Sequence, residues 1–267
     1  MLKDITIGQY FPGNSAVHRL DPRFKIIITA VFIVSLFCAD NFLGLLISCV
    51  FMLISFLISK IPLKLMMKSI KPIVPIIIFT TVLNLFFLDG VTLFKLGFLK
   101  ITYEGVRTSL FMIIRIIALI MGSSLLTYTT SPITLTDAIE RLMSPLAKIH
   151  LPVHELAMMM TIALRFIPTL IEETDKIMSA QKARGADMES GNLMQRAKAL
   201  TPILIPLFVS AFRRAEELAL AMECRCYHGG EGRTRLKELK STAADYTALG
   251  LSFVFLDAVI LMNIIFG

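Results

Sequence analysis

Residues 153–184 read VHELAMMMTIALRFIPTLIEETDKIMSAQKAR. Apolar side chains recur at Val153, Leu156, Met160, Leu164, Ile167, Ile171 and Met178, the spacing of one helix face. Pro152 stands at the first turn, where its missing N–H costs nothing. The pattern predicts one helix of about 30 residues, ~45 Å long at the usual rise, kinked at Pro168. A polar turn over 187–192, containing Gly191, leads to a second stripe: Leu193, Ala197, Leu200, Leu204, Leu207, Ala211, Ala215, Leu218 and Met222. That run holds Pro202 and Pro206 and stops near Tyr227-His228-Gly229-Gly230. Each helix closes on an arginine among small residues, Lys182-Ala183-Arg184-Gly185 and Glu223-Cys224-Arg225-Cys226. Laying Arg184 on Arg225 also aligns Ala180 with Ala221, so the two runs share a layout.

Around this pair the chain is far more apolar. It has 267 residues, 55% of them hydrophobic, and a mean hydropathy of +0.74, outside the soluble globular range. A bilayer core takes about 20 apolar residues to cross as a helix. Candidate spans lie at 24–39, 42–59, 72–88, 107–130 and 244–266. Lys and Arg number four in residues 1–25, four in 60–71 and fifteen in 131–245, but none in 40–41 and three in 89–107. The positive-inside rule then places the N-terminus, the 60–71 loop and the polar insert in the cytoplasm, and the C-terminus outside. The net charge of +7 is thereby accounted for by membrane orientation, with no nucleic-acid partner implied. Residues 1–10 are polar and mixed in charge and predict no cleavable signal peptide.

The expected fold is an all-α integral membrane protein of about five transmembrane helices with a cytoplasmic domain of one short and two long helices. Residues 1–130 hold the first four spans, 131–242 the cytoplasmic helices and 243–267 the last span. The short helix is expected over 137–148, cut by Ser144-Pro145. The long helices exceed the 11–12 residues of an average helix. Packed on each other they still leave apolar length for a partner or a membrane surface. Arg184 and Arg225 are expected to dock a partner, because a guanidinium offers a rigid fork of donors favoured at interface hot spots. Ala183, Gly185, Cys224 and Cys226 let a partner backbone approach them.

Four segments give the chain a family resemblance. Tyr10-Phe11-Pro12-Gly13-Asn14-Ser15 with His18-Arg19-Leu20-Asp21-Pro22-Arg23-Phe24-Lys25 is similar to the opening signature of the T components (EcfT) of energy-coupling factor transporters. Met143-Ser144-Pro145-Leu146, Ala163-Leu164-Arg165-Phe166-Ile167-Pro168 and Ala183-Arg184-Gly185 resemble its later signatures, whereas Cys224-Arg225-Cys226 departs from a second Ala-Arg-Gly. The resemblance implies a membrane-embedded coupling subunit of a prokaryotic vitamin or micronutrient importer of the ABC class. Two cytoplasmic ATPases would seat Arg184 and Arg225 in their grooves. A substrate-binding membrane subunit would rest on the apolar helix faces, with Leu164, Ile167, Leu204 and Leu207 among the contacts. The chain has no Gly-x-x-x-x-Gly-Lys-Ser/Thr, so ATP chemistry belongs to partners, and no cofactor or catalytic residue is expected in this subunit.

Three other chemistries fit less well. A secondary transporter or channel, the alternative reading, would show repeated spans and several ionisable groups at mid-membrane. Here the spans hold Arg115 and Asp257, with Asn84 and Asn263. Glu172-Glu173 and Glu216-Glu217 resemble a di-glutamate protease pair, but the fifth position after the first glutamate is Ile177 or Ala221 where that family has arginine. Cys224, Cys226 and His228 lack the spacing and second ligand pair of a zinc site, so no metal is expected. Cys38 and Cys49 sit in apolar runs. Arg115 and Asp257 lie ~12 and ~15 Å from the outer ends of their spans, and depth alone predicts an ion pair between them.

Overall fold

Helices account for most of the described residues. The computed structural model describes residues 10–96, 99–149, 151–186, 192–229 and 239–266. Of the turn expected over 187–192, residues 187–191 lie outside the described residues, as do Gly230 and the side chains of Leu193 and Ala197. The elements run α1 (Ala16–Arg19), α2 (Pro22–Cys38), α3 (Phe42–Ser59), α4 (Leu63–Ile70), α5 (Val74–Phe87), β1 (Thr92–Leu96), β2 (Leu99–Thr102), α6 (Tyr103–Thr129), α7 (Pro132–Met143), α8 (Val153–Ala183), α9 (Leu193–Glu223) and α10 (Ala243–Phe266). Short 3₁₀ turns cover Lys71–Ile73 and Ser144–Ile149.

The described residues form two compact units, one drawn from 10–138 and 239–266, the other from 139–229. Helices long and apolar enough to cross a membrane are Phe42–Ser59, Leu63–Phe87, Tyr103–Thr129, Val153–Ala183 and Ala243–Ile265. The helix α8, expected in the cytoplasmic domain, is thus itself long and apolar enough to cross a membrane. The stretch expected at 24–39 forms α2, whose 17 residues sit at the lower limit for a span. Residues 60–71, read as a loop, contain α4, which runs into α5 through the 3₁₀ turn.

The connection at 89–107 is shorter than expected, because α6 starts at Tyr103. Thr102 supplies the signal: its Oγ1 accepts the Gly105 N–H at 3.1 Å and donates to the Leu88 carbonyl at 2.9 Å. The residues just before it pair as an antiparallel hairpin, Lys95 opposite Lys100 and Leu96 opposite Leu99, with a bulge between Thr92 and Phe94. The helix α7 likewise begins early, at Pro132, where Ser131 Oγ accepts the Thr134 N–H at 3.3 Å.

In the first unit α10 packs on α2 and α3, while α6 packs on α2, α3, α4 and α5. Phe32, Leu36, Ala39, Met52, Ala118, Phe255 and Val259 form the core. The rings of Phe51 and Phe255 stack there at 4.4 Å. A second cluster joins Phe56, Ile61, Met66 and Tyr128. The Tyr128 hydroxyl donates to the Leu65 carbonyl at 3.0 Å and shares a 2.6 Å hydrogen bond with Ser69 Oγ.

Candidate docking site on the two long helices

The helices α8 and α9, 31 residues each, pack against one another within the second unit. Their contacts run antiparallel. Glu173 accepts Arg214 Nη2 at 2.8 Å and the Ser210 hydroxyl, while Gln181 Nε2 donates to the Pro202 carbonyl at 3.4 Å. That last bond follows from sequence chemistry. Pro206 has no N–H to give the carbonyl four residues before it, so the Pro202 oxygen is left open within its own helix. The Gln181 amide fills it. At the head of α8, His154 Nδ1 meets Glu140 Oε1 at 3.0 Å.

Pairing Gln181 with Pro202 sets Arg184 beside the start of α9, whereas Arg225 follows its end. About 24 residues of α9 separate the two levels, ~36 Å of helix rise. Both ends make the same turn. The Ala186 N–H reaches back to the Gln181 carbonyl at 3.0 Å, and the Gly185 N–H to Lys182 at 3.0 Å. At the second end the Tyr227 N–H reaches Met222 at 3.1 Å, and the Cys226 N–H reaches Glu223 at 2.9 Å. This is the Schellman closure, which needs a left-handed residue after the helix. Gly185 takes φ 84° and Cys226 takes φ 54°.

Cys226 therefore performs the backbone role of Gly185 although it carries a side chain. A non-glycine residue pays ~1–2 kcal/mol for that conformation, and glycine gives some back through its freer unfolded chain. Cys226→Gly is expected to tighten the second end by about 0.5–1 kcal/mol net. Hydrogen exchange at the Tyr227 amide should slow by about two- to five-fold; an unchanged or faster rate would show that the turn is not strained.

Ala183, Arg184, Gly185, Cys224, Arg225 and Cys226 are all exposed. Neither guanidinium makes a hydrogen bond or ion pair among the described residues. His228 Nδ1 lies 2.9 Å from the Cys226 carbonyl, within the same turn.

The apolar positions expected to carry a partner separate into two sets. Leu164, Ile167 and Leu207 are half-buried, and Leu204 is exposed. A more open row on α9 lies outside the expected stripe: Ile205, Phe208, Val209 and Phe212, with Phe212 72% exposed. Phe208 and Phe212 share one face with Leu204 at i, i+4 and i+8 spacing, and Ile205 and Val209 flank it, a signal present in the sequence but hidden by the uniformly apolar run.

Arg115 and Asp257 do not form the expected ion pair among the described residues. Arg115 Nη2 donates to the Ala39 carbonyl, and its guanidinium lies 4.6 Å from the Phe111 ring centre. Asp257 is exposed. The last carbonyls of α2 lack partners within the helix. Arg115 from α6 takes one of them and Asn263 Nδ2 from α10 takes the Cys38 carbonyl. Matched depth in two spans says nothing of the direction each side chain faces.

The opening signature 18–25 acts in the first unit. Asp21 caps α2, accepting the Arg23 N–H at 2.9 Å and pairing with Arg23 Nη2 at 2.6 Å. Its own N–H donates to Asp245 Oδ1 at 2.7 Å, which ties the start of α2 to the start of α10. Lys25, 6% exposed, donates through Nζ to the His18 carbonyl at 3.1 Å, the Thr129 carbonyl at 3.0 Å and Thr130 Oγ1 at 3.4 Å. A buried ammonium with three oxygen acceptors is satisfied, and it caps the end of α6.

A family model described as cobalt transport protein, CbiQ, matches residues 13–236. The energy-coupling factor transporter transmembrane protein EcfT of Thermosediminibacter oceani is 59% identical over 247 residues, 92% of this chain and 93% of its own. Its counterpart from Ruminiclostridium cellulolyticum is 54% identical over 266 residues, 100% of both chains. That of Bacillus subtilis is 47% identical over 261 residues, 97% of this chain and 98% of its own. With apolar membrane-crossing helices, a motif-bearing helix pair and relatives matched over nearly their whole length, the chain belongs to the CbiQ family as an EcfT-type transmembrane component of energy-coupling factor transporters.

Proposed function

We propose that this chain transmits the motion of two cytoplasmic ATPases to a substrate-binding membrane subunit, in an importer for a vitamin or other micronutrient. Residues 131–242 serve as the coupling domain, with 1–130 and 243–267 as its membrane anchor. The subunit itself is not an enzyme. Arg184 and Arg225 each dock one ATPase, with Ala183, Gly185, Cys224 and Cys226 admitting the partner backbone. Leu164, Ile167, Leu204 and Leu207, continued by the open row at Phe208 and Phe212, face the substrate-binding subunit. The N-terminus and coupling helices lie in the cytoplasm and the C-terminus outside.

The observation that carries this reading is the duplicated helix end. Two exposed guanidinium groups follow the same left-handed closure at opposite ends of one helix pair. A rise of ~36 Å between them leaves room for two separate subunits, and a helix C-terminus serving only its own dipole would need neither the repeat nor the exposure.

The native thiols offer the test. Cys224 and Cys226 are exposed on either side of Arg225, while Cys38 and Cys49 are partly covered. A membrane-impermeant maleimide should label Cys224 and Cys226 in inside-out vesicles only, and saturating ATPase should suppress most of that labelling. Equal labelling with and without ATPase removes the docking assignment, and labelling in right-side-out vesicles removes the sidedness.

A further inference from the structure

The first unit contains a cavity of about 330 Å³, lined in part by Leu20 and Lys25 of the opening signature. Its walls come from α1, α2, α3, α6 and α10, with Ile28, Phe51, Ile54, Leu125, Ala248 and Leu251 among the apolar lining residues. The cavity arises because α3 and α10 close at one end only. A Cβ at Gly44 would lie 3.5 Å from Val259 Cγ1, so the helices meet tightly there. At the other end small residues, Ala244 and Ala248, face the gap. Ile54, Ile58 and Leu251 line it and are 52%, 47% and 65% exposed, so the opening is on the apolar outer surface of the bundle.

We propose that this cavity holds an acyl chain of an anionic phospholipid, with the phosphate at the end marked by Arg19 and Lys60. An apolar void that opens onto hydrocarbon is filled by the solvent around it, and in a bilayer that solvent is lipid tail. The headgroup follows from charge. Arg19 lies between the lining residues Val17 and Leu20, Lys60 follows two residues after Ile58, and both cations are exposed. Lys25 also lines the cavity, but its three donors are taken by protein oxygens. It closes the polar end without competing for the phosphate. Basic residues near a membrane surface favour anionic lipid, so a phosphatidylglycerol is preferred over a zwitterionic lipid with the same chains. This site is independent of ATPase docking.

Native mass spectrometry of the full chain, delipidated and exposed to phosphatidylglycerol or phosphatidylcholine of identical acyl composition, tests the proposal. The wild type should retain phosphatidylglycerol about ten- to thirty-fold better. Arg19→Gln with Lys60→Gln, both at exposed positions, should erase that preference. Ala248→Phe should fill the cavity and release both lipids while the melting temperature stays within a few degrees. Equal retention of the two lipids by the wild type would overturn the assignment. So would a Gln pair that keeps the preference, or an Ala248→Phe protein that still holds phosphatidylglycerol. An Ala248→Phe variant that keeps its lipid but loses the substrate-binding subunit would instead show that a partner helix occupies the gap.

Discussion

Replacing Arg184 and Arg225 together by alanine is expected to leave a membrane-inserted chain that recovers no ATPase. Truncating a desolvated interface charge costs about 2–5 kcal/mol, mostly in dissociation rate. At 1.4 kcal/mol per decade, each single change should weaken docking by about 30-fold or more, and the pair should abolish it. The folded chain has little to lose. Both side chains are exposed, and the helix ends are held by backbone bonds that alanine preserves. Pull-down of ATPases by the inserted double variant measures the effect, and full recovery would refute the role of both residues. Arg184→Lys and Arg225→Lys keep the charge but lose the fork, so partial recovery is expected from them.

A charge on the open face of α9 should have the opposite selectivity. Phe208 is 60% exposed and Leu204 47%, and neither is needed to hold the helix pair together. Phe208→Glu or Leu204→Glu should detach the substrate-binding subunit and leave the ATPases bound. The loss includes the burial of the apolar side chain, about 1.5–3 kcal/mol, and the desolvation of a carboxylate, so a drop of about a hundredfold or more in affinity is expected. Leu207→Glu is the control for the other set. Being half-buried, it should also lower the melting temperature. Co-purification of each partner reads the result, and ATPases leaving before the substrate-binding subunit would reverse the two surfaces.

The parts of the chain readable from sequence are those with local causes. The α8 and α9 stripes follow from 3.6-residue spacing, and their lengths emerge at 31 residues each. Long-range contacts were not readable. Asp21 meets Asp245 across 224 residues of chain and Lys25 meets Thr129 across 104, and no spacing rule links either pair. Arg115 illustrates the limit in another way, because rise per residue gives its depth while the end of α2 decides where its guanidinium goes. The second arginine end lies between these cases. A cysteine at 226 hides a left-handed turn that a glycine would have advertised, and only the backbone angles make it the equal of Gly185.

Uptake by proteoliposomes separates an energy-coupling subunit from a carrier most directly. The chain reconstituted with its two ATPases and a substrate-binding subunit should accumulate the cargo when ATP is supplied on the ATPase side. Omitting the ATPases, withholding ATP or using Arg184→Ala with Arg225→Ala should each stop uptake. Accumulation of the cargo by this chain alone, without ATPases or ATP, would contradict the coupling role outright.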